Sequence, residues 1–145
     1  MQRMRSLLFA LLAVSVSCSL SPGVSTRRLI VVGDWKTNWT PPVSLVRLIS
    51  EPSVFDSQLV HVAGVLRLEY EGNALYLDKD SRSFGLLENA LRLTFAPSLS
   101  LEDMKRLQKL DGRYVAVFGR FRVPDTGARA NGIIEDVDSV LEIIP

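Results

Sequence analysis

The stretch "HVAGVLRLEYEGNALYL" (residues 61–77) decides how this chain is built. It alternates apolar and polar side chains, as a half-buried strand does. Extended to Leu59–Tyr70, the pattern puts Val60, Val62, Leu66, Leu68 and Tyr70 on one face and His61, Ala63, Val65, Arg67 and Glu69 on the other. A strand of this length is about twice the usual five or six residues. Gly64 lies in its middle, where glycine marks a bend or bulge. The stretch therefore predicts a strand that serves two parts of one curved sheet. Gly72-Asn73 predicts a two-residue hairpin turn, because both residues tolerate positive φ, with Ala74–Leu77 as the return strand.

Further along, "DKDSRSFG" reads as a polar loop and Asn89–Phe95 as a third strand, with Leu91, Leu93 and Phe95 inward and Arg92 and Thr94 outward. The period then changes. Ser100 is a helix cap, Glu102 and Asp103 fall in the first turn, and Lys105, Arg106 and Lys109 come later, the charge order that a helix dipole favours. Leu101, Met104, Leu107 and Leu110 form its apolar stripe, and Gly112 follows its end. Arg113–Val123 is a fourth strand, again with a central glycine, Gly119. After the loop "PDTGARANG", Ile133–Val137 starts the last strand and Val140–Ile144 extends it or packs beside it. Upstream, Pro42–Ser50 predicts a short helix with Leu45, Leu48 and Ile49 on one face, and "SVFDSQ" a turn.

The order strand, strand, strand, helix, strand, strand, with glycines in the long first and fourth strands, predicts a mainly β fold. It is that of a five-stranded OB-fold-like Greek-key barrel, with a helix between strands 3 and 4 and a short N-terminal helix. The alternative is a more open curved sheet with the helix on one face.

The chain has 145 residues, 17 basic and 16 acidic. Arg3 and Arg5 begin it, Leu7–Val16 is apolar apart from Ser15, and Ser17, Cys18 and Ser19 are small. This is the order of an export signal, and the run falls short of the ~20 apolar residues of a membrane span. Residues 1–18 thus read as a signal peptide, 19–42 as a tether and 43–145 as one domain. Loss of Arg3 and Arg5 leaves 15 basic against 16 acidic side chains. Such a balance gives no strong field for nucleic acid, whose binding is driven by counterion release.

Cys18 is the only cysteine, so no intrachain disulfide can form. Val16-Ser17-Cys18 resembles the end of a bacterial lipobox, which implies lipidation of Cys18 and a membrane anchor. Ser15 departs from that pattern, and a soluble export signal that contains cysteine is the alternative. Leu29–Val32 reads as an extra strand within the tether. Trp35 and Trp39 suit either a membrane interface or the edge of a core. Asn38-Trp39-Thr40 has the N-x-T glycosylation pattern.

"SLVRLISEPSVFDSQLVHVAGVLRLEYEGNALYL", with "LDGRYVAVFGRF" and "GIIEDVDSV", resembles a family of small uncharacterised bacterial envelope proteins with an OB-like barrel. The resemblance covers about residues 43–143. It implies that fold and a periplasmic or envelope location, and it implies no catalytic residue.

The sequence carries none of the motifs G-x-x-x-x-G-K-[ST], H-E-x-x-H or G-x-S-x-G. His61 is the single histidine, expected at the surface or in packing. Asp78-Lys79-Asp80 begins like a calcium loop, but Arg82 and Ser83 occupy positions that should hold a ligand and a glycine. No enzyme, cofactor or metal site is expected. The candidate ligand-binding residues are Arg67, Tyr76, Arg92, Tyr114, Phe118 and Arg120 on the outward barrel face, where aromatics stack and arginines add charge. The expected role is a non-catalytic binding module of the cell envelope, for a protein, glycan or anionic polymer. The alternative is a structural or assembly subunit of an envelope complex.

Overall fold

The computed structural model describes residues 29–34, 40–70, 72–125 and 131–144. The expected signal at 1–18, Cys18, Trp35, Asn38 and Trp39 lie outside the described residues. No helix among the described residues is long and apolar enough to cross a membrane.

The elements in chain order are β1 (Val31–Val32), β2 (Pro42–Val43), α1 (Leu45–Ser50), α2 (Pro52–Phe55), β3 (Leu59–Arg67) and β4 (Asn73–Tyr76). Then come α3 (Lys79–Phe84), a 3-10 turn at Leu87–Asn89, β5 (Ala90–Phe95), α4 (Leu101–Gln108), β6 (Tyr114–Arg122) and β7 (Ile133–Glu142). Five strands close a barrel. β3 pairs with β4, β4 with β5 and β6 with β7, all antiparallel; β5 pairs with β7 in parallel; and β6 returns antiparallel to β3. This is the OB-fold-like barrel, with α4 between its third and fourth strands. β1 adds to β7 and β2 adds in parallel to β3.

Closure depends on two glycines. Gly64 lies where β3 passes from β6 to β4: Val65 pairs with Tyr114 on one side and with Tyr76 on the other. A Cβ on Gly64 would stand 2.5 Å from the Tyr76 carbonyl oxygen and 2.8 Å from Leu75 Cγ. Gly119 faces a bulge in β7. Phe118 pairs with Ser139 and Arg120 with Glu135, so one residue of β6 opposes three of β7. The bulge contains Asp136 at φ 52°, a conformation that aspartate tolerates better than most residues. A Cβ on Gly119 would meet the Glu135 carbonyl oxygen and Ile134 Cγ2, each at 2.7 Å. The second bend thus belongs to β7, and Gly119 makes room for it.

The barrel interior holds Val60, Val62, Leu66, Leu75, Leu91, Leu93, Val115, Val117, Phe121 and Ile134, all buried. Leu45 and Leu48 of α1 and Leu107 and Leu110 at the end of α4 join this core. The predicted four-residue stripe of α4 is only half used. Leu101 is 76% exposed and Met104 39%, because the helix meets the barrel through its C-terminal end. Its N-terminus carries a reciprocal capping box between Ser100 and Asp103. β1 is held by Glu142, whose buried carboxylate accepts from the Ile30 amide at 3.3 Å and from Arg113 Nη1 at 2.6 Å.

Three local expectations are corrected. β3 ends at Arg67 instead of Tyr70, and Arg67 pairs with Ala74, so the connection is longer than a two-residue turn at Gly72-Asn73. The next amides are drawn off the ladder: Leu68 donates to Asp111 Oδ1 at 2.9 Å and Glu69 to Asn73 Oδ1 at 3.2 Å. "DKDSRSFG" is not a loop but helix α3, N-capped by Asp78 and ended by Gly85 at φ 64°. "SVFDSQ" contains α2, started by Pro52 in its first turn.

Alanine at Gly64 or at Gly119 is expected to cost about 1–3 kcal/mol or more, the range for overpacking a filled site. The exposed neighbour Ala63→Gly should cost no more than about 1 kcal/mol. Urea denaturation checks this, and wild-type midpoints for both alanine variants would refute the closure argument. The Asp78 carboxyl is held below its ordinary value by the Ser81 backbone amide and hydroxyl, which bond its ionised form. Its cap therefore stabilises the fold fully above that ordinary value and is lost as pH falls through the lowered one. The Asp78→Asn variant should show a flatter acid limb of stability, measured by urea titration across that range.

Candidate functional site

The six candidate residues all belong to the outer side of the barrel, but they do not converge on one patch. Arg67, Ala74 and Arg92 form one row across β3, β4 and β5, since Ala74 pairs with both arginines. Tyr76 belongs to the next row and is 2% exposed. It lies with Val65, Ala74 and Ala90 in a small outer cluster, against which α3 packs. The expectation that Tyr76 presents a stacking face is therefore corrected: a helix covers it. The Arg67 guanidinium lies 5.9 Å from its ring centroid, and its hydroxyl accepts from Arg67 Nη1 at 3.5 Å.

Phe118 is corrected in the same way. It points outward but is 4% exposed. The His61 ring stacks on it with centroids 4.2 Å apart, and His61 Nδ1 donates to the Thr40 carbonyl at 3.2 Å. The chain that enters β2 thus closes this part of the wall. Arg120, beside it, is exposed but tied down, its Nη1 donating to the Ser57 carbonyl at 2.6 Å. Tyr114 is 38% exposed, with the Lys79 ammonium 5.9 Å from its ring centroid. Tyr114 and Arg92 are separated across the barrel wall by β3 and β4.

Phe118 and Arg120 line a small depression of about 130 Å³ with Thr40, Asp136 and Asp138, and a second, shallow and open groove of about 370 Å³ lies between the β3–β4 connection and β5. Glu69, Tyr70, Gly72, Asn73, Arg92 and Thr94 form its polar wall. The local fold explains each position. Arg92 and Thr94 project outward because Leu91 and Leu93 take the core positions of β5. Tyr70 is fully exposed because the strand ended three residues earlier. Gly72 lies beside Arg92: a Cβ there would be 4.0 Å from its Nε. Periodicity had pointed Tyr70 inward, and the signal that could have moved it was Asn73, whose side chain captures the Glu69 amide.

The electrostatics of the groove are simple. Arg67 pairs with Glu69, so these two charges offset each other. Slight burial disfavours the Arg67 cation, but the hydrogen bond and charge of Glu69 and the contact with Tyr76 outweigh it, and its proton is held more tightly than usual. Arg92 has no such partner. Every other arginine among the described residues except Arg120 pairs with an acid. Arg47 pairs with Glu51, Arg82 with Asp111, Arg106 with Glu102, Arg113 with Glu142 and Arg122 with Glu135, while Arg120 bonds Ser57. The described residues of the groove therefore carry one cation without an acidic partner, one exposed aromatic ring, a hydroxyl and a carboxamide. That set can bind a small anionic or polar group. No cluster of three metal-ligating side chains occurs among the described residues, and Asp78 serves as a helix cap.

No protein-family model matches the chain, and a search of curated proteins finds no match. Among solved structures, the barrel is similar to a DUF3299 family protein from Pseudomonas aeruginosa, at 11% identity and a TM-score of 0.39 over 63% of this chain. It is also similar to part of a putative aspartyl-tRNA synthetase from Leishmania major Friedlin, at 10% identity and a TM-score of 0.43 over 76% of this chain. The chain spans 65% of the first of these proteins and 22% of the second.

Proposed function

We propose that this domain is a non-catalytic binding module of the cell envelope, and that it takes an anionic ligand in the groove between the β3–β4 connection and β5. The observation that carries the reading is the guanidinium of Arg92, left without a partner beside the fully exposed ring of Tyr70. An arginine fork is suited to planar, bidentate recognition of an acid group. The groove's side chains supply a cation, hydrogen-bonding groups and a flat ring, and no base–nucleophile pair stands among them. Export and a lipid anchor at Cys18 rest on the order of residues 1–18.

The second reading, an assembly subunit of an envelope complex, draws support from a different surface. Phe84 at the end of α3 is 78% exposed and Leu87 just after it 48% exposed. Neighbouring apolar side chains of this kind suit a protein contact.

A panel of acidic glycans, acidic peptides and polyphosphate, offered to the immobilised protein, separates the two. On the binding-module reading one class is captured, and Arg92→Ala or Tyr70→Ala weakens capture about tenfold or more, the scale of one charge-assisted hydrogen bond. Tyr114→Ala, across the barrel wall, should leave capture within twofold. All three variants should melt within a few degrees of the wild type, since the residues are exposed. Capture that ignores Arg92 and Tyr70, or a stoichiometric envelope protein retained through Phe84, would overturn the groove as the functional surface.

A further inference from the structure

We infer that the groove recognises a sugar carboxylate: one acidic unit of an anionic glycan, seated with its acid on Arg92 and a ring face on Tyr70. The inference rests on the binding-module reading and names the ligand class for that site. The first ground is the charge count. Arg67 is neutralised by Glu69, so among the described residues of the groove Arg92 is the cation without an acidic partner. A polyphosphate or nucleic-acid strand needs a track of cations to release its condensed counterions. A ligand with a single acid per recognised unit needs one.

The second ground is shape. The depression is bounded by the backbone of Gly72 on one side and by Arg92 and Thr94 of β5 on the other, and it is open to solvent. Gly72 leaves the flank of Arg92 open. A flat six-membered ring with an equatorial acid fits such a shelf, with the guanidinium at its edge.

The third ground is the remaining chemistry. Tyr70 exposes a full ring face, and its own hydroxyl stays in water. Aromatic faces accept the weakly positive C–H edges of a pyranose through the same quadrupole that orients aromatic pairs. Asn73 uses its Oδ1 for the Glu69 amide, which leaves its NH₂ as a donor. The Thr94 hydroxyl both donates and accepts. These groups suit ring hydroxyls, which a simple anion or a fatty acid lacks. The depression is shallow and open, so a sugar unit would lie against its surface without being enclosed.

Titration calorimetry with the full-length protein tests this, with trigalacturonic acid as the probe. Its carboxyl-reduced, neutral counterpart, a sulfated trisaccharide and a single-stranded oligonucleotide serve as comparisons. Trigalacturonic acid should bind at millimolar concentration or below, about tenfold or more tighter than the neutral sugar, as expected when a charge-assisted bond is lost. The R92K variant should lose most of that preference, because an ammonium cannot make the bidentate contact. Y70F should keep binding and Y70A lose it.

Equal binding of the neutral sugar would overturn carboxylate recognition and leave a glycan-binding groove standing. Preference for the oligonucleotide or the sulfated sugar, abolished by R92A, would overturn the ligand class and keep the anion-binding reading. If an acidic peptide is the only ligand and R92A abolishes its binding, the sugar assignment falls while the groove survives. Binding by none of these, or binding that R92A leaves unchanged, would overturn both.

Discussion

Backbone crosses backbone at Gly64, and the barrel depends on that contact. The Tyr76 carbonyl lies where a side chain at residue 64 would begin. Only this approach lets β3 leave β6 and take up β4 within one residue, at Val65. The matching contact on the far wall is the β7 bulge over Gly119. Together they give the coiling that a five-stranded barrel needs to close. Closure in turn fixes the inward set, so Leu66, Leu75, Leu91 and Phe121 share one interior. It also decides which residues are left outside.

The outer wall is then partly consumed by the fold itself. Helix α3 packs on β3 and β4 over Tyr76, and the segment entering β2 bonds His61, whose ring stacks on Phe118. Each cover takes an aromatic ring out of water, a large apolar area that would otherwise remain exposed. The groove at Arg92 is the stretch of β4–β5 wall that neither cover reaches. Binding surface and structural surface compete for the same sheet, and here most of the sheet is used for structure.

Charge is distributed by the same logic. The exposed pairs each contribute little to stability. Their consequence is that, among the described residues, they neutralise every arginine but Arg92 and Arg120 at the place where it stands. Arg67 shows this best: its guanidinium turns to Glu69 and the Tyr76 hydroxyl, and away from the row it shares with Arg92. What remains is a localised cation with little reach in solution, since screening confines it to about 10 Å at ordinary salt. A ligand of the proposed kind would be selected there by contact, with little long-range steering.

Local pattern determined a good deal. Period-two alternation placed β5 and β6 within one residue of their observed limits, overran the end of β3 by three, and identified Val60, Val62, Leu66, Leu91 and Leu93 as core. The mid-strand glycines marked both points of closure, and Ser100 marked the start of α4. The capping signals of α3, Asp78 and Gly85, were also present, but they enclose so few apolar residues that composition read as loop. Tertiary structure alone decided which outward residues stay outside. Alternation tells which face of a strand a side chain takes, because that is a property of one strand's backbone. It does not tell what lies against that face, which depends on elements distant in sequence. Tyr76 and Arg92 had equal standing as outward residues, and a helix of six residues separated them.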